Sequence, residues 1–199
     1  MKEKILFIAF LVFLGSNNLK SQSFNSGIFN VQGGLEIGGN YGLTQYNSQS
    51  PGKAITVDYG LPFKQDDNST IGIGLYYASK SFTENKVYPM SENYYFNRVW
   101  NYNVFGLRGT YHYSFFDIKR LDTYVGAMIN YNLVSFSYVD SYYDANPKAY
   151  GNPYPLSFNS SFRYTGFIGA SYDIGKRIGA FAELAMGNYL VYAGLNIRF

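Results

Sequence analysis

The 199-residue chain carries 16 Lys and Arg against 13 Asp and Glu, with one histidine and no cysteine. A disulfide framework, a thiol nucleophile, a zinc–thiolate site and lipid attachment through an amino-terminal cysteine are thereby excluded. The formal net charge of +3 belongs mostly to the first 21 residues: without Lys2, Lys4, Lys20 and Glu3 it falls to +1, which gives no case for nucleic-acid binding.

The amino terminus opens with Lys2 and Lys4, continues through the apolar run 5–14 and turns polar at Ser16, Asn17 and Asn18. That run is too short to cross a bilayer, which takes about 20 apolar residues, and it suits the core of a signal peptide. Cleavage is expected after Ser21, leaving 22–199 as one mature domain.

Eight strands are predicted, over 29–39, 54–63, 71–80, 98–113, 123–138, 162–174, 178–186 and 189–199. All exceed the about five or six residues usual in globular strands and match the about 9–11 tilted residues that cross a bilayer. The connections alternate: 40–53, 81–97 and 139–161 are long, whereas 64–70, 114–122 and 175–177 are short. Only the tight turn at 187–188 breaks the rule. Short turns on one side and long loops on the other are the habit of outer-membrane barrels, and an even strand number then puts both termini on the periplasmic side.

Within each strand the two faces differ. One face is uncharged, as in Ile71, Ile73, Leu75 and Tyr77 or Tyr189, Val191, Leu195, Ile197 and Phe199. Its aromatics fall towards the strand ends, with aliphatics between them, as two water–lipid interfaces would select. The other face holds Glu36, Asp58, Lys80, Arg108, Arg163, Asp173, Glu183 and Arg198, with His112 near one end. Four acids and four bases inside an eight-stranded cylinder, with glycines making room for the arginines, predict a filled polar interior and no continuous pore. The predicted fold is therefore all-β, an eight-stranded antiparallel up-and-down transmembrane β-barrel.

A leader, eight alternating strands and the terminal Leu195-Asn-Ile-Arg-Phe199 resemble the small outer-membrane β-barrel proteins of Gram-negative bacteria, in the broad OmpA-, OmpX- and PorT-like grouping. The resemblance spans the mature chain. It implies an outer-membrane location and recognition of Phe199 by the barrel-assembly machinery during insertion. PorT-like members are linked to protein secretion, and no motif here carries that role over.

Chemistry finds little support. His112 stands alone without the second histidine or converging carboxylates of a metal site. Asp66-Asp67-Asn68 reads as turn chemistry. Ile71-Gly-Ile-Gly-Leu75 is strand alternation with no helix after it, so it is no phosphate loop. No catalytic residue, metal or cofactor is expected, and the chain is not expected to be an enzyme. The candidate partner-contact loops are rich in tyrosine: Tyr88, Tyr94 and Tyr95 with the adjoining Trp100, then Tyr142, Tyr143, Tyr150 and Tyr154. Tyrosine among Asn, Ser and Gly makes an adaptable contact surface for an envelope protein or glycan. The expected function is a non-enzymatic structural or interaction module in the outer membrane, an accessory of a larger envelope or secretion complex. A narrow channel, a surface lipid-modifying enzyme and a soluble lipocalin-like barrel are the alternatives.

Overall fold

The computed structural model describes residues 27–38, 48–49, 51–61, 69–87, 95–113, 118, 120–140 and 160–199. The leader, the Asp66-Asp67-Asn68 turn and Tyr88, Tyr94, Tyr142, Tyr143, Tyr150 and Tyr154 lie outside the described residues. The strands are β1 (Phe29–Ile37), β2 (Ser48–Gln49), β3 (Gly52–Gly60), β4 (Ser69–Val87), β5 (Tyr95–Tyr113), β6 (Leu121–Asp140), β7 (Ser161–Asp173), β8 (Ile178–Met186) and β9 (Val191–Arg198). β1 pairs with β3 on one side and β9 on the other, and β4 joins β3 to β5. All strands except β2 thus close into an eight-membered antiparallel ring in chain order. Backbone hydrogen bonds between Phe29 and Phe199 lock the seam where the first and last strands meet.

Alternation sets the two faces. On β5, Leu107 is 68% exposed while the next residue, Arg108, is 3% exposed. The same split recurs on the other ring strands: Leu35, Ile55, Ile73, Ile129, Ile168, Leu184 and Leu195 point out, and Glu36, Asp58, Asp173 and Glu183 point in. In water such a partition is upside down, because apolar surface gains from leaving water and charge loses by it.

Three strands run longer than the sequence pattern indicates. β4 continues to Val87 where its pattern ends at residue 80, β5 begins at Tyr95, and β6 reaches Asp140. Past its last β3 partner, Ser79 opposite Lys53, β4 extends eight further residues, about 26 Å of strand. β5 and β6 accompany it, and β2 pairs with it at Phe82 and Thr83. The sequence pattern stops early here for a physical reason. In the extension the apolar residues move to the inward face (Phe82, Trp100, Phe136) and the outward face becomes polar, so the search for an apolar outer stripe loses its signal.

Candidate functional site

At mid-barrel the interior centres on Glu183, which β8 aims inward between the outward-facing Ala182 and Leu184. One carboxylate oxygen accepts from Arg108 Nη2 at 2.8 Å and from the Tyr124 hydroxyl at 2.9 Å. The other accepts from the Tyr189 hydroxyl at 2.5 Å. On its far side Arg108 Nε lies 3.2 Å from Asp58 Oδ1, and its guanidinium rests over the Phe167 ring, 4.4 Å from the centroid. The chain of contacts continues through Gln32, which donates to Tyr124 and accepts from Thr56. A fully buried carboxylate is tolerable only when its lone pairs are used in this way.

A second cluster closes the end that carries the termini. Arg198 grips Asp173 with Nη1 at 2.7 and 2.8 Å, while its Nη2 reaches Ser171 at 3.0 Å and Asp122 at 3.4 Å. Asp122 also holds His112 Nδ1 at 3.0 Å, and His112 Nε2 meets the Thr110 hydroxyl at 3.1 Å. The Tyr124 ring covers the imidazole at a centroid distance of 4.8 Å. Thr110, His112 and Asp122 are all buried, so the threonine–histidine–aspartate line joins neighbouring strands inside the packed wall. Among the described residues no cluster of three or more His, Cys, Asp or Glu is arranged to hold a metal ion.

Towards the other end Glu36 accepts from the Tyr76 hydroxyl, and Lys80 donates to the Gly38 carbonyl at 3.1 Å. Aromatic rings pack in the interior beside them. Phe181 packs edge-on against Tyr192, Tyr192 against Tyr189, and Tyr189 stacks on Tyr76. Phe82 meets Tyr102, and Trp100 lies 5.2 Å from Phe136. The result is a plug of side chains.

Seven of the eight predicted interior charges are buried inside the ring: Glu36, Asp58, Lys80, Arg108, Asp173, Glu183 and Arg198. The eighth, Arg163, shares the inward face of β7 with Thr165 and Phe167 but is only half-buried. Asp122 is a ninth member that the sequence pattern assigns to a connection. It lies in β6, in phase with the inward Tyr124 and Met128, so one more step of alternation from Tyr124 would have found it.

Three placements need correction. Tyr189, expected on the lipid side, is 1% exposed and points inward. It precedes β9 in a turn where Gly187 takes a φ of 145°, a conformation open to glycine, so the two-residue phase does not carry back through it. Trp100, grouped with the contact loops where the predicted strand 98–113 meets its loop, is fully buried inside β5. Tyr95 also belongs to β5 rather than to a loop. Phe199 stays outward, 65% exposed, at the β1–β9 seam.

The outward face of β4, β5 and β6 changes character along its length. On β4, Ile73, Leu75 and Tyr77 give way to Ser79, Ser81 and Thr83; on β5, Leu107 and Phe105 give way to Asn103, Asn101 and Val99. On β6, Ile129 and Tyr131 are followed by Leu133, Ser135 and Ser137. Register brings these positions side by side as a three-by-three grid: Ser79–Asn103–Leu133, Ser81–Asn101–Ser135 and Thr83–Val99–Ser137.

No family model and no curated protein sequence matches the chain. Solved structures do. The crystal structure of Ail, the attachment invasion locus protein of Yersinia pestis, aligns over 89% of this chain and 100% of its own at 7% identity, with a TM-score of 0.45. Ail in complex with the heparin analogue sucrose octasulfate aligns over 87% and 99% at 12% identity, TM-score 0.45. The backbone structure of Ail in a phospholipid bilayer nanodisc aligns over 88% and 100% at 9% identity, TM-score 0.44.

Proposed function

We propose that this chain is a non-enzymatic, non-conducting outer-membrane β-barrel that serves as an interaction module, with both termini in the periplasm and the β4–β6 extension outside the cell. The observation that carries this reading is the reversal of polarity along those three strands. Through Tyr77, Phe105 and Tyr131 the outer face is apolar; past them it turns mostly to Ser, Thr and Asn, while Phe82, Trp100 and Phe136 join Lys80 on the inner side. A sheet selected for one solvent has no cause to invert. A sheet that leaves hydrocarbon for water must, since a lysine or arginine facing mid-bilayer lipid costs about 2–4 kcal/mol while apolar groups gain by hiding from water.

The filled interior supports an interaction role over a passage, and the burial of Thr110, His112 and Asp122 supports a structural histidine over a catalytic one. On this reading Phe199 is the residue the barrel-assembly machinery engages, and the extension meets an envelope protein or glycan. Extraction tests the placement. The folded protein should resist high salt, require detergent for release, and run as a compact band that shifts on boiling. Release by salt alone would support the soluble alternative instead.

A further inference from the structure

The three-by-three grid on the outward side of the extension contains no ionised residue among its nine positions: it consists of Ser, Thr and Asn with one Val and one Leu. Surfaces designed for water aim at about 25–35% Lys, Arg, Glu and Asp, a density that would put about two or three charges on a face of this size. Lys53 on β3, opposite Ser79, is a cation beside it, at the row where the apolar face ends.

The grid is also a continuation of the lipid-facing surface on the same strands. The Tyr77 hydroxyl, at the last apolar row, donates to Asn103 Oδ1 at 3.0 Å, and Ser81 Oγ donates to Asn101 Oδ1 at 2.6 Å. Both amide oxygens are thus used within the sheet. Each side-chain amide then presents its N–H donors, two residues apart on one strand, about 6.7 Å. Ser135 and Ser137 on β6 add hydroxyls that donate or accept. A layer of phosphates would be met by Lys and Arg. Amides and hydroxyls without charge match neutral hydroxyl groups.

We infer that this face binds the uncharged sugar head groups of glycolipids in the surrounding leaflet. The inference rests on the membrane placement proposed above and names the partner chemistry of the extension. The sugar comes from the same membrane because the face is continuous with the hydrocarbon-facing band, so the first molecules beside it are the heads of the lipids that border Tyr77, Phe105 and Tyr131.

The test uses the folded chain in nanodiscs of phosphatidylcholine doped with either monoglucosyl diacylglycerol or phosphatidylglycerol, with retained lipid counted by native mass spectrometry. The glucolipid should be retained in preference to phosphatidylcholine, and phosphatidylglycerol should not. Asn101→Ala with Asn103→Ala should cut glucolipid retention about fivefold, the effect of losing two weak hydrogen bonds. Ser135→Ala with Ser137→Ala should lower it in the same direction, which covers failure of the first variant to fold. Equal retention in wild type and both variants, preference for the anionic lipid, a dimer formed through this face, or capture of soluble glucose oligosaccharides without glucolipid preference would each overturn the inference. Heat-modifiable mobility is read on the same samples: loss of the compact wild-type band overturns the membrane placement as well, whereas compact barrels without glucolipid preference overturn the sugar surface alone.

Discussion

Asp58 and Arg108 form an ion pair across a strand that belongs to neither of them. Asp58 lies on β3 and Arg108 on β5, and the residue between them in the same inward row is Gly74 of β4. Asp58 Oδ1 passes over that glycine to within 3.2 Å of Arg108 Nε. A Cβ built on Gly74 would lie 1.9 Å from Asp58 Oδ1 and 2.7 Å from the Val57 carbonyl. Arg198 and Asp173 also pair across an intervening strand, β8, with Arg198 two residues beyond the Asp173–Gly179–Asn196 row.

Gly74→Ala should therefore be destabilising out of proportion to one methyl group. Overpacking of this kind costs about 1–3 kcal/mol, and displacing Asp58 from Arg108 adds to it. Gly109→Ala is the control, since Gly109 neighbours Arg108 on the outward face with nothing within 4 Å of its Cβ position. Urea unfolding midpoints in lipid vesicles should fall for the first variant and stay within about 0.5 kcal/mol for the second. Equal midpoints would remove the spacer role of Gly74.

Glu183→Ala should be the most costly single change in the interior. It removes the acceptor for Arg108, Tyr124 and Tyr189 together, and breaking a buried ion pair from one side costs about 3–5 kcal/mol. Glu183→Gln keeps an acceptor oxygen and should fall between wild type and alanine in the same unfolding assay. A wild-type midpoint for the alanine variant would mean that the network contributes nothing to stability.

The plug also predicts electrical silence. Among the described residues Trp100, Tyr189, Tyr192, Phe82, Glu36 and Glu183 are all fully buried in the interior, which on the proposed reading blocks the lumen. Purified protein in planar bilayers should give no steady unit conductance. Regular, protein-dependent openings would favour the channel alternative.

Much of this architecture is legible in the sequence because the barrel wall repeats one simple rule on every strand. Residues 71–77 and 178–186 could be oriented from alternation alone, and seven of the eight interior charges follow from it. The rule fails where its physical cause ends. Beyond Tyr77 the outward face no longer needs to be apolar, so Phe82, Trp100 and Phe136 were not recognisable as an inward aromatic row. At Gly187 the chain leaves the strand, and the phase assigned to Tyr189 fails with it. The pairing of charges is beyond a one-dimensional pattern altogether: Arg108 meets Glu183 across the lumen, 75 positions away in the chain, and only the closed ring fixes which side chains face each other.

A pair of arginine substitutions on one face of one strand separates hydrocarbon from water. Ile73→Arg should impair assembly, with a penalty of about 2–4 kcal/mol near mid-bilayer. Ser81→Arg, eight residues further along the same face of β4, should assemble at the wild-type level. Outer-membrane yield of the compact form checks both, and equal yields would contradict the face assignment.

The most direct test of the inverted partition uses the absence of cysteine from the chain. Single cysteines at positions 73, 75, 77, 79 and 81 of β4, all on the outward face, are exposed in intact cells to a membrane-impermeant thiol reagent. Labelling should be absent at 73, 75 and 77 and should rise at 79 and 81, where the strand leaves the lipid. Uniform labelling of all five positions would mean that water bathes the whole outer wall, and the membrane placement would be wrong.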